Sequence, residues 1–166
     1  MKLDCHEIAS GLFVGSAPCF GGSVAHAGFD VLVLCADEFQ PPSSLYPGVI
    51  VARARLFDDG SPMSRSHAHQ ALSAAGFVAA RVRSGGRVLV TCMQGRNRSG
   101  LVAALALTRI TGRSGAEAAA VVKSRRLAPH GEPLTNRYFL ALLQVIPGKR
   151  SPGIITQQAA HDAGFT

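Results

Sequence analysis

A cysteine and an arginine separated by five residues stand in the run Thr91-Cys92-Met93-Gln94-Gly95-Arg96-Asn97-Arg98-Ser99-Gly100. An ionised thiol is a strong nucleophile, and a guanidinium fork grips two oxygens of a phosphate at once. The pair alone says little. Of 17 basic residues only Lys2, Lys123 and Lys149 are lysine, leaving 14 arginines beside 4 cysteines, so chance supplies one such pair in roughly one of three sequences like this. Requiring also Gly95 and Ser99 at their positions lowers that to roughly 0.003. A loop of this length can curl so that the successive N–H groups of Met93, Gln94, Gly95, Arg96, Asn97 and Arg98 point inward and bind phosphate as an anion nest. Gly95 permits the backbone angles such a curl needs. A helix that follows adds its positive N-terminal end, and Arg98 closes the ring. The same positive field favours the thiolate of Cys92, which can attack phosphorus in line and form a phosphocysteine. Amides and Arg98 neutralise the transferring oxygens, so the scheme calls for no metal and no cofactor.

The flanking elements must hold that loop. Arg87–Thr91 has the branched apolar character of a buried strand, and Ser99–Ile110 is an apolar helix that ends near Gly112. Upstream, Leu12–Ser16 and the continuous apolar run Val31–Ala36 predict strands, the latter buried. Val49–Leu56 alternates Val51 and Ala54 with Arg53 and Arg55, which suits a strand nearer an edge. Gln40–Ser44 and Asp58–Pro62 are loop and turn; helical spacing runs from His67 to Val82 and stops at Gly85-Gly86. Ser114 with Glu117 forms a capping-box pattern for a helix to about Arg126, and a last helix is expected over Leu134–Ile146. Strands alternating with helices predict an α/β fold: a central, mostly parallel sheet of four to five strands flanked by helices. Ligands in such sheets sit beyond the carboxyl ends of strands, which is where the loop after Thr91 falls.

The stretch Cys92–Ser99 resembles the signature loop of the protein tyrosine phosphatase superfamily, in its compact dual-specificity branch. Gly11–Ser16 is similar to that family's opening strand, Val33–Glu38 to its second, and Asn136 with Phe139 to its C-terminal helix. The resemblance spans about residues 8 to 145 and implies one catalytic domain over 1–146, with 147–166 a tail. It implies a general-acid aspartate on the turn after the fourth expected strand. Alignment on that strand gives Asp59, with its neighbour Asp58 the alternative; as plain chemistry, Asp-Asp-Gly is also an ordinary turn sequence. It further implies that Ser99 donates a hydrogen bond to the departing thiolate. The family carries His immediately before its cysteine, where this chain has Thr91, whose hydroxyl can make a reduced version of the same supporting bond. One of Cys5, Cys19 and Cys35 could, as in some members, protect Cys92 through a reversible disulfide; Cys35 sits in an apolar run and suits a core position.

Composition narrows the alternatives. The chain has 166 residues, 47% hydrophobic and 16% charged, with a formal net charge of +7, which fits one folded domain and an anionic partner. The first residues lack the apolar core of a secretory signal, and no apolar run approaches bilayer length, so a cytoplasmic location is expected. No Cys-x-x-Cys spacing occurs, and His67 with His69 at a helix start lacks the further ligands a metal site needs. The leading function is a metal-independent phosphatase acting on phosphotyrosine, and on phosphoserine and phosphothreonine, in protein substrates. An RNA 5′-triphosphatase or other non-protein phosphatase is the alternative, motivated by Gly95-Arg96-Asn97-Arg98 and the basic charge. Against it stand 6% aromatics and no tryptophan for stacking bases. A phosphate-binding module without turnover is the third, motivated by Thr91. Arg125 and Arg126 suit a helix C-terminus, and the resemblance implies that the loop Leu127–Pro133 faces the pocket.

Overall fold

The computed structural model describes residues 3–18, 23–127, 129 and 131–149; Cys19 and most of the expected tail lie outside them. Five strands form one sheet: β1 (Cys5–Ala9), β2 (Leu12–Ser16), β3 (Val31–Ala36), β4 (Ile50–Leu56) and β5 (Val88–Cys92), in the order β1-β2-β5-β3-β4. β1 runs antiparallel to β2; the other pairings are parallel. The helices are α1 (Ser23–His26), α2 (Arg65–Arg83), α3 (Arg98–Thr111), α4 (Gly115–Arg125) and α5 (Arg137–Gln144), with a short 3₁₀ turn at Ser43–Leu45.

β5 occupies the centre of the sheet and carries the phosphate loop at its carboxyl end. Every residue of β3 and β5 is buried because both sheet faces are covered. Val31, Val33 and Cys35 join Val88, Val90 and Cys92 in a core shared with α2, α3, α4 and α5. The alternate residues Leu32, Leu34 and Leu89 pack with Val24, Phe29 and Tyr46 in a smaller cluster on the other face. Cys92 therefore points to the helix side, above the start of α3. That helix is buried from Arg98 to Thr108 without interruption, which explains its all-round apolar sequence.

Several elements differ from expectation. β1 pairs along the free edge of β2; only its Ile8 is buried, so no apolar pattern announced it. The expected last helix starts at Arg137 rather than Leu134, because Leu134 has φ 54° and Asn136 caps the helix by accepting from Tyr138 and Phe139 N–H groups. The expected loop before β4 contains the 3₁₀ turn. The capping box at Ser114 and Glu117 forms as expected, and β4 is an edge strand. No helix among the described residues is long and apolar enough to cross a membrane. Past α5 the chain still packs on the domain, with Lys149 N–H donating to Gly112 O at 2.8 Å.

Candidate active site

The loop between β5 and α3 is shaped by its carbonyls. Met93 O accepts from Ala17 N–H, Gly95 O and Gln94 O from Arg126, Arg96 O from Leu134 N–H and Asn97 O from Leu101 N–H. All five thus bond outward. The peptide units are trans, so the N–H groups of residues 94 to 98 face the opposite way, into the curl. That is the geometry of an anion nest. Gly95 has φ +64°, and a Cβ there would lie 2.5 Å from the Gly15 carbonyl carbon and from an Arg126 nitrogen. The position therefore requires glycine for its backbone angle and for close approach.

Cys92 closes β5 and is 5% exposed. Its Sγ lies 3.2 Å from Ser99 Oγ, which is fully buried. Thr91, in the place of the family's histidine, donates its hydroxyl to Val33 O at 3.1 Å. It thus ties β5 to its neighbouring strand rather than to the loop. Cys35 is fully buried in β3, and burial pushes its thiol well above the ordinary value.

Arg98 enters α3 nearly buried, at 7% exposure. Nη2 donates to Glu38 at 2.7 Å; Nη1 donates to the other oxygen of Glu38 and to Leu56 O at 3.3 Å. A guanidinium has five N–H donors. These contacts leave Nε–H, which is buried and has no partner among the described residues, and one Nη2–H beside it. The two lie on one edge of the plane, the fork a phosphate needs. Burial opposes the charge on Arg98, but the Glu38 carboxylate, with Cys92 and Asp58, holds its pKa above the ordinary value. Arg98 in turn holds the Glu38 carboxyl below its usual range. The sequence signals for Glu38 are its place just past the end of β3 and within the stretch that resembles the family's second strand.

The two turn aspartates are separated by what they touch. Asp59 is the residue the strand alignment selects, but its Oδ1 accepts from Ser61 N–H at 3.0 Å and Ser61 Oγ at 2.6 Å. Those bonds hold its carboxyl below the usual range, the wrong direction for a proton donor. Asp58 faces the loop instead. Its two oxygens accept from Asn97 Nδ2 at 3.0 Å and Asn136 Nδ2 at 2.9 Å. The structure thus joins Asp58, the alternative to Asp59 on this turn, to Asn97 of the phosphate loop, and holds Asp59 within the local turn. A cleft of about 320 Å³ opens beside Asp58, lined also by Asn97, Thr135, Asn136, Arg137 and Tyr138.

Of the expected phosphate-loop residues, Met93 and Gln94 have exposed side chains. Asn97 is engaged within the protein, since its Oδ1 also accepts from Thr135 and Asn136 N–H groups. Arg96 donates to Glu132 O at 3.0 Å. Arg126 caps the end of α4 as expected, and its side chain is also a buried prop under the loop. It donates to Asp4 at 2.8 and 2.7 Å, to Gly95 O at 2.9 Å, and meets His6 Nδ1 at 2.8 Å. The expected pocket loop Leu127–Pro133 includes residues outside those described. Among the described residues no group of three or more His, Cys, Asp or Glu side chains is placed to hold a metal ion.

No protein-family model matches the chain. Human dual specificity phosphatase 28 is 40% identical over 141 residues, which span 83% of this chain and 74% of that protein. A crystal structure of a mouse putative dual specificity phosphatase complexed with zinc tungstate superposes with a TM-score of 0.67 at 34% identity, covering 87% of this chain and 86% of that one. The crystal structure of the human phosphatase 28 gives 0.66 at 35% identity, covering 87% and 93%.

Proposed function

The chain belongs to the dual-specificity phosphatases, cysteine-dependent enzymes of the tyrosine phosphatase fold, and from that premise we propose that Cys92 carries the phosphoryl group of an aryl or alkyl phosphomonoester as a phosphocysteine. The inward N–H groups and the free edge of Arg98 bind the three terminal oxygens. The Cys92 thiolate attacks phosphorus opposite the ester oxygen, the S–P bond forms and the P–O bond breaks. Asp58 gives its proton to the departing oxygen; each of its oxygens has one lone pair on an asparagine amide and another left for that proton. In the second half Asp58, now a carboxylate, takes a proton from water as the water attacks phosphorus. The S–P bond breaks, and Ser99 Oγ, 3.2 Å from the sulfur, stabilises the returning thiolate.

Glu38 and Leu56 O fix the plane of Arg98 without occupying its free edge. The observation that carries the reading is that edge: a buried guanidinium Nε–H at the start of α3, without a partner among the described residues, on an arginine whose charge Cys92 supports. A buried donor of this kind calls for an acceptor, and a phosphate oxygen supplies one. The 34% identical mouse structure is a complex with zinc tungstate, and tungstate is a tetrahedral oxyanion of the shape this site would hold.

The substrate class we assign is phosphoprotein, with phosphotyrosine and phosphoserine or phosphothreonine both accepted. The test is a panel of phosphotyrosine peptide, phosphothreonine peptide and 5′-triphosphorylated RNA at equal concentration, in EDTA. Turnover of both peptides with chelator present is expected. Turnover of the RNA alone would select the triphosphatase, and turnover of none, with retained oxyanion binding, would select a binding module. Activity that chelation abolishes and a divalent metal restores would overturn the mechanism.

A further inference from the structure

The turn that carries Asp58 is also held by a side chain the reaction scheme leaves unused. His67 lies in the first turn of α2, behind the Ser64 cap, and is 8% exposed. Its Nε2 accepts the Phe57 backbone N–H at 2.9 Å, one residue before Asp58. The ring sits edge-on to Phe57 at 5.5 Å and to Phe139 of α5 at 6.2 Å. To accept a backbone N–H, Nε2 must be bare, so the ring is neutral with its proton on Nδ1. A protonated ring has two donors and no acceptor, and would set one N–H against another.

We propose that His67 is a positioning residue for the general acid: its neutral imidazole anchors the Phe57 amide and so sets where Asp58 meets the leaving oxygen, and its protonation releases that anchor. The inference rests on the phosphatase reading above. The charged groups that act on the ring are Asp59 on the turn and Arg98 at the start of α3, and Phe139 of α5 packs edge-on against it. Burial chiefly, with Arg98 adding and Asp59 opposing, lowers the imidazole pKa. The anchor is therefore intact at neutral pH and is lost only below the ordinary histidine range.

Two substitutions in the full chain test this. His67→Phe keeps the ring but removes the acceptor; His67→Gln offers a carbonyl acceptor that does not titrate. The readout is the ratio of kcat/KM for a phosphotyrosine peptide to that for a phosphate ester of a much more acidic phenol, followed from neutral to mildly acidic pH. A phenol leaving group of pKa about 10 needs the acid, whereas an acidic phenol hardly does. His67→Phe is expected to lower the ratio about tenfold, equivalent to about 1.4 kcal/mol, with the acidic ester little affected. Acidification protonates the acid in both proteins and so raises the ratio, but loss of the anchor should make the rise smaller in wild type than in His67→Gln. Should His67→Phe not fold, the comparison of wild type with His67→Gln decides. Equal losses on both esters, or identical pH dependence of the ratio in wild type and His67→Gln, would overturn the inference. A wild-type protein that turns over neither ester would overturn the phosphatase reading, and this inference with it.

Discussion

Replacing Arg126 by methionine should destabilise the protein by about 2–4 kcal/mol and disable the phosphate loop. Methionine keeps most of the stem's volume, so the loss is polar. The Arg126 side chain is wholly buried, and Asp4 is 30% exposed. Gly95 is buried, and its carbonyl would lose its 2.9 Å donor. An orphaned buried acceptor costs about 1–3 kcal/mol. Breaking a fully buried ion pair costs about 3–5 kcal/mol, but Asp4 keeps part of its hydration, so we assign about 1 kcal/mol to its release. Urea unfolding of wild type and variant gives the difference as a shift in midpoint at unchanged slope. Its pH dependence carries a sign. The Arg126 hydrogen bond lowers the Asp4 pKa, so pairing stabilises the fold above the ordinary carboxyl value, and that contribution fades as pH falls through the lower folded value. The gap between wild type and variant should therefore narrow below about pH 4. A variant within about 0.5 kcal/mol of wild type at neutral pH would refute the account of Arg126 as the prop beneath the loop. So would a gap that does not change with acid.

The remaining predictions concern the loop and its acid. Asp58→Asn should slow phosphotyrosine hydrolysis far more than hydrolysis of an acidic-phenol ester, and Asp59→Asn should not; the reverse pattern would restore the alignment-based choice. Gly95→Ala should abolish tungstate or vanadate binding, measured by competition or calorimetry, because the left-handed backbone costs an L-residue about 1–2 kcal/mol and the new Cβ meets the Gly15 backbone at 2.5 Å. Cys92→Ser should lose turnover and keep oxyanion binding. Arg98→Lys should lose most of both, because a point charge cannot present the two parallel donors of the free edge.

What the sequence made legible was local. The residues of the phosphate loop, the buried runs of β3 and β5, the helical spacing of α2 and the cap of α4 all lie within a few positions of one another. The missing parts depend on distant partners or on a single backbone angle. Arg126 and Asp4 are 122 positions apart, and nothing in either neighbourhood announces that they meet beneath Gly95. Asp58 and Asp59 are chemically identical neighbours, separated only by which one Asn97 and Asn136 reach and which one Ser61 turns aside. His67 has the pattern of an exposed helix start until the Phe57 amide is seen on its ring. The start of α5 shifted because Leu134 takes a positive φ, an angle no leucine advertises.

The most direct test of the central claim is to trap the intermediate. An aryl phosphate labelled with ³²P is mixed with the enzyme, the reaction is quenched in acid within the first turnover, and the digested peptides are examined by mass spectrometry. Slow breakdown in Asp58→Asn should raise the trapped yield. The account predicts label on the peptide containing Cys92, absent from Cys92→Ser and lost when the quench follows complete turnover. Turnover in which no label ever resides on Cys92, or in which another residue carries it, would contradict the account.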